Sequence, residues 1–139
     1  MLEEVDIWLD NPYISTAAYF SVTILLLVVF LAIFELVTRY KDWQEVKRGN
    51  VAVAMAIGGK IFGICNIFHY IIPRFDSFYE ALVWAFYGYG LLLLAYFIFE
   101  FLTPVFKVDD ELSKDNRAVG LLSMVISISL SYVIGASIQ

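Results

Sequence analysis

Three charged residues stand inside apolar stretches where charge is expensive: Glu35, Lys60 and Glu100. An ionised side chain within a membrane-spanning segment costs at least a few kcal/mol, and it is usually kept where it meets a partner, a protein interior or a water-filled path. Two carboxylates and an amine in that setting can bind or pass protons or cations. Glu35 and Glu100 each lie about one helical turn from a basic linker, so the plainer reading of each alone is that it reaches interfacial water. Lys60 lies about ten residues past Asn50, which puts it about 15 Å along a helix and near the middle of a span. Side chains lean toward the N-terminus of their own helix. The spans reconstructed below turn Lys60 and the glutamates toward one another, so the expectation is a charge layer in which Lys60 pairs with Glu100 or Glu35. The second carboxylate is then left to be protonated, hydrated or occupied by a cation.

Other chemistry is poorly supplied. His69 has no second histidine, cysteine or carboxylate at ligand spacing, so no metal is expected. Cys65 is the lone cysteine, and an internal disulfide is impossible. No serine sits in a recognisable nucleophile elbow or intramembrane-protease motif, and the reading is of a protein that is not an enzyme and uses no cofactor.

The elements that must position the charged residues are helices in a bilayer. The chain has 139 residues, of which 61% are hydrophobic and 17% aromatic, with a mean hydropathy of +0.79. No basic face exists to neutralise phosphates, which excludes nucleic-acid binding. About 20 apolar residues span the hydrocarbon core as a helix. Runs at about 13–37, 50–72, 78–102 and 116–138 meet that length, giving a single membrane domain of four transmembrane helices. Asn11 with Pro12 reads as a helix start, and Pro73 falls just past the second span. Arg39, Lys41, Lys47 and Arg48 fall in the first linker and Lys107, Lys114 and Arg117 in or beside the third, which places both linkers in the cytoplasm and both termini outside. Ahead of the first span, Leu2, Val5, Trp8 and Leu9 share one helical side with Glu3, Asp6 and Asp10 elsewhere. That piece reads either as a helix along the membrane surface or as a frayed terminus.

Small residues form stripes at helical spacing: Ala52, Ala56, Gly59 and Gly63 on the second span, and Gly120, Ser123, Ser127, Ser131 and Gly135 on the fourth. Such stripes let helix backbones approach in a membrane. The contact lies within one chain or between copies of a homo-oligomer, and a serine-lined polar pore is the sharper alternative. Asn50 and Asn116 each open a span as helix caps. Asp42 and Asp109 are placed to start short interfacial helices, with Trp43 and Val46, or Val108 and Leu112, turned to the bilayer.

The chain also repeats itself. Ile33-Phe34-Glu35-Leu36-Val37-Thr38 is echoed by Ile98-Phe99-Glu100-Phe101-Leu102-Thr103, and Asn50-Val51-Ala52-Val53 by Asn116-Arg117-Ala118-Val119. Two tandem two-helix repeats follow, about 13–72 and 78–138, related by an axis along the membrane normal. The segment Thr38-Arg39-Tyr40-Lys41-Asp42-Trp43-Gln44-Glu45-Val46-Lys47-Arg48-Gly49-Asn50-Val51-Ala52-Val53-Ala54, with Gly59, Gly63, Thr103-Pro104 and Asn116 to Gly120, resembles the YjfL-like bacterial membrane proteins built on domain of unknown function 350. The resemblance covers the chain from about Tyr19 onward and implies an all-α protein of the bacterial cytoplasmic (inner) membrane. Members of the family resemble one another in being encoded near membrane-stress and phage-shock-type proteins, from which the resemblance implies an accessory role. Two departures stand out: Arg39 where the family often has the proline matching Pro104, and Lys60 where an apolar or small residue is expected. Two functions fit. One is a small homo-oligomeric proton or cation channel or transporter-like protein using Glu35, Glu100 and Lys60. The other is a non-conducting scaffold whose linkers recruit a cytoplasmic protein partner.

Overall fold

Apolar runs of this length satisfy their backbone hydrogen bonds only as helices, and the computed structural model is all-helical among the described residues. It describes residues 2–103 and 105–139, without the side chains of Leu2 and Asp6. Pro104, on which part of the resemblance rests, lies outside the described residues. The order is α1 (Leu2–Leu9), α2 (Pro12–Val37), α3 (Asp42–Lys47), α4 (Val51–Ile71), α5 (Phe78–Leu102), α6 (Val108–Ser113) and α7 (Arg117–Ser137). Helices α2, α4, α5 and α7 are long and apolar enough to cross a membrane. The segment 2–9 is a helix. At the start of α2, Pro12 occupies the first turn, where its missing N–H is no loss, and Asn11 Oδ1 accepts from the Tyr13 N–H at 3.0 Å.

The centre of the bundle is the α4–α7 pair, and small residues are the reason. A Cβ built on Gly59 would lie 2.7 Å from Met124 Cα, and one on Gly120 would lie 2.7 Å from Ala52 Cα and 2.8 Å from its carbonyl oxygen. Only glycine permits so close an approach. Ala52, Ala56 and Ser131 are fully enclosed and Ser123 nearly so, while Gly63 faces the Ser127 carbonyl and Ser131 Cβ. Ser127 is half-buried. Asn66 Nδ2 donates to Ser131 Oγ at 3.0 Å across this seam. The stripes therefore pack against each other within one chain.

Flanking this pair, α2 and α5 contribute Leu26, Phe30, Phe34, Ala85, Tyr89, Leu92 and Tyr96 to the main apolar core. Phe30 stacks on Tyr89 with ring centroids 3.9 Å apart, and the Tyr89 hydroxyl donates to the Phe30 carbonyl at 3.0 Å. The outward faces of α2 and α5 stay apolar and exposed, as at Leu25, Val28, Leu36, Phe97 and Phe101.

The short helices α3 and α6 fold back beneath the bundle. Val108 and Leu112 are fully buried in a second cluster with Ala52, Val53, Ile57 and Val119, and Val46 packs against it. The expectation that Val46, Val108 and Leu112 face lipid is overturned: the apolar side of each linker helix has a protein surface within reach and packs there. Trp43 alone of that set stays out, 58% exposed. Each linker helix ends on a left-handed residue, Gly49 (φ 85°) and Asp115 (φ 60°), which turns the chain into the next span.

Candidate functional site

Caps and turns bring the two linkers against the ends of the spans. Thr38 ends α2, its N–H donating to the Phe34 carbonyl at 3.0 Å and its hydroxyl to the Glu35 and Tyr40 carbonyls. Asn50 Oδ1 accepts from the Val53 N–H at 3.0 Å, and its amide donates to Glu45 and to the Leu112 carbonyl. Asn116 does the corresponding work for α7, accepting from Val119 and donating to Glu111. Asp115 adds a crossing contact, its carboxylate accepting from the Ala52 N–H at 2.9 Å. Orphan donors at the start of α4 are thus satisfied from both linkers.

Lys60 extends from α4 into the space these linkers close. It is 1% exposed. Its Nζ lies 4.0 Å from Asp42 Oδ2, 4.8 Å from the centre of the Phe34 ring and 5.6 Å from that of Tyr96. Among the described residues the buried side-chain atoms without a hydrogen-bond partner are Lys60 Nζ, Asp42 Oδ1 and the Tyr40 hydroxyl. They come from α4, α3 and the α2–α3 turn; Lys60 and Asp42 lie 4.0 Å apart, and the Asp42 charge acts on the Tyr40 hydroxyl. Asp109 completes the group from α6: Tyr96 donates to its Oδ1, and the Arg39 N–H donates to its Oδ2 at 3.1 Å. Asp42 and Asp109 are both 2% exposed.

The expected pairing of Lys60 with Glu35 or Glu100 is corrected. Its carboxylate partner is Asp42. The lean of a helical side chain toward its own N-terminus carries Lys60 toward the linkers, and α3, folded under α4, presents Asp42 before either glutamate is met. Glu35 and Glu100 are half-buried and line separate cavities. Glu35 shares one of about 420 Å³ with Thr38, Arg39, Tyr40 and Lys41. Glu100 shares one of about 410 Å³ with Thr103, Phe106 and Lys107. Glu35 still touches the problem, because Tyr40 belongs both to its cavity and to the buried group.

Burial pushes the Asp42 carboxyl above the usual range; the Lys60 ammonium opposes this, and the negative charges of Glu35 and Asp109 add to it. Burial likewise pushes the Tyr40 hydroxyl far up, helped by Asp42, Asp109 and Glu100. Such a group favours holding a proton and resists ionising twice. An ammonium 4.0 Å from a carboxyl inclined to neutrality, with an unpartnered phenol on the neighbouring turn, makes a buried group of titratable side chains.

Sequence reasoning missed Asp42, Asp109, Tyr40 and Tyr96 as members of the site. The two aspartates read only as starts of the linker helices, Tyr40 reads as an interfacial aromatic, and nothing adjacent to Tyr96 marks it. At the far end of the spans, His69 and Cys65 line a different cavity, and among the described residues no three His, Cys, Asp or Glu groups meet as a metal site.

The same spans and linkers are what a family model recognises. The model described as Domain of Unknown Function (DUF350) matches residues 7–138. The chain belongs to the DUF350 family. It is 54% identical over 133 residues to the UPF0719 transmembrane protein YshE of Bacillus subtilis (strain 168), which covers 96% of this chain and 98% of that protein. Over 63 residues it is 29% identical to the UPF0719 inner membrane protein YjfL of Escherichia coli (strain K12), covering 45% of this chain and 43% of that one. No solved structure matches. The relatives are named as membrane proteins, and with its four spanning helices this DUF350 chain is a multi-pass membrane protein.

Proposed function

We propose that this protein is a small homo-oligomeric proton or cation channel or transporter-like protein of the bacterial cytoplasmic membrane, working through the buried group around Lys60. The observation that carries the reading is Lys60 itself: an ammonium fully enclosed by protein, 4.0 Å from one carboxylate and without a hydrogen bond. A charge held at that cost in a span is by default functional. The Glu35 cavity, shared with Tyr40, supports a proton route from the linker side to Asp42 and Lys60, and Glu100 guards the equivalent position on α5. Beyond Lys60 the interior is filled by Phe30, Phe34 and Tyr89, so transport requires α2 to shift or several copies to share a path.

In this reading the basic linkers are cytoplasmic and the termini outside. The matched caps Asn50–Glu45 and Asn116–Glu111 support two tandem repeats, each of two spans joined by a cytoplasmic helix. The protein is not an enzyme here. A second reading, a non-conducting scaffold or membrane-stress accessory, is favoured by one feature. The linkers are bound to each other through Arg39–Asp109 and Asn50–Leu112 into one platform that exposes Trp43 and Arg48 to a cytoplasmic partner.

Reconstitution into liposomes carrying a trapped pH dye tests the first reading. Proton or cation flux is expected from the unaltered chain and is expected to fall at least tenfold in Lys60→Met and Asp42→Asn proteins that keep their helix content. No flux under either a pH gradient or a membrane potential refutes conduction and leaves the scaffold.

A further inference from the structure

At the end of the bundle away from the linkers, a cavity of about 640 Å³ opens between the start of α2 and the end of α4. Drug-sized molecules occupy sites of about 300–1,000 Å³. One wall is α2, with Ser15, Tyr19, Phe20 and Thr23; the other is α4, with Cys65, Phe68 and His69; Phe75 and Asp76, past the end of α4, complete the lining. We propose that this cavity binds an amphipathic organic cation, its charge beside Asp76 and its apolar body against Phe20, Phe68 and Phe75.

The charge of the occupant follows from the lining. Asp76 is the carboxylate there, and no lysine or arginine contributes. The nearby Arg74 is turned to the end of α7, where it donates to the carbonyls of Gly135 and Ile138 and lies over the Tyr70 ring. With Asp76 in the lining and no lysine or arginine there, the local field draws cations in and turns anions away. Four aromatic residues line the space, and ring faces attract cations when water is excluded. The hydroxyls of Ser15 and Thr23 serve polar atoms of the occupant. A bare metal ion is a poor fit to so large a space, since among the described residues no cluster of metal-binding side chains forms. This inference is independent of the proton reading, which concerns the opposite end of α4.

Two ions of equal size and opposite charge test it. The purified full chain in mild detergent is titrated with tetraphenylphosphonium and with tetraphenylborate, and uptake by empty micelles is subtracted. Saturable binding of tetraphenylphosphonium at one per chain is expected, with none of tetraphenylborate. Asp76→Asn should weaken the affinity about tenfold, the loss of one charge contact. Cys65→Trp fills the cavity without changing charge and should abolish binding. Thr23→Trp, filling it from the other wall, replaces that variant if its melting temperature falls. Equal uptake of the two ions, which marks a groove for acyl chains, overturns the proposal, as does binding of neither or an affinity indifferent to all the variants.

Discussion

Replacing Lys60 with methionine keeps the length of the side chain and removes its charge, leaving Asp42 buried opposite an apolar group. At the 4.0 Å separation of Lys60 Nζ and Asp42 Oδ2, a pair of unit charges at an effective dielectric of about 20 attracts by ~4 kcal/mol. Not all of that is lost. Asp42 can take up a proton, toward which burial already inclines it, and the cost is then capped by that protonation at the working pH. In the converse variant, Asp42→Asn, the ammonium keeps the faces of Phe34 and Tyr96 at 4.8 and 5.6 Å, worth up to ~2 kcal/mol each when desolvated. Each single change should therefore cost ~2–3 kcal/mol at neutral pH, and the double change should cost less than the sum by ~1.5–3 kcal/mol. Equilibrium unfolding in mixed micelles, followed by circular dichroism, measures the cycle. Parallel cycles of Lys60→Met with Glu35→Gln and Glu100→Gln should be additive within ~0.5 kcal/mol. A coupling below ~0.5 kcal/mol with Asp42, or a larger one with either glutamate, refutes the assignment of the pair.

Two further outcomes follow from the packing and from the linker charges. Gly120→Ala and Gly59→Ala push a methyl group into the facing backbone at 2.7 Å and should each cost about 1–3 kcal/mol, whereas Gly58→Ala and Gly90→Ala meet nothing within 4 Å and should be neutral or slightly stabilising. The same unfolding assay checks this, and equal effects in the two sets contradict the α4–α7 seam. The raised Asp42 carboxyl makes the folded state bind the proton more tightly than the unfolded one. Its contribution to stability is present below the ordinary aspartate range and is lost as pH rises through the folded value. Melting temperature should therefore fall across that window in the unaltered chain relative to Asp42→Asn, and parallel curves contradict the burial of Asp42.

Much of the fold was legible because a bilayer imposes one-dimensional rules. Apolar length alone bounds a span, so α5 was placed at Phe78–Leu102 without error and the other three spans to within about a residue. Asn11 and Pro12 as a helix start, and Asn50 as a residue that accepts from the first turn of its helix, follow from local geometry, and local geometry is written in adjacent residues. Lys60 was legible as a charge within a span, and the structure buries it on α4.

What the one-dimensional rules do not contain is where a short amphipathic piece finds its apolar partner. The sequence of α3 and α6 says only that one side seeks to leave water, and lipid and protein serve that need equally. The tertiary structure decided for protein, burying Val108 and Leu112, and in doing so it carried Asp42 and Asp109 under the ends of α4 and α5. The partner of Lys60 changed with it. The same holds for the stripes of small residues: spacing shows that they form a smooth surface, but only the crossing of α4 on α7 shows that the surface is used within the chain. Helix formation depends on neighbours along the chain, so sequence determines it; ion pairing and helix contact depend on residues brought together from different elements, as Asn66 of α4 and Ser131 of α7 are, and only packing selects among them.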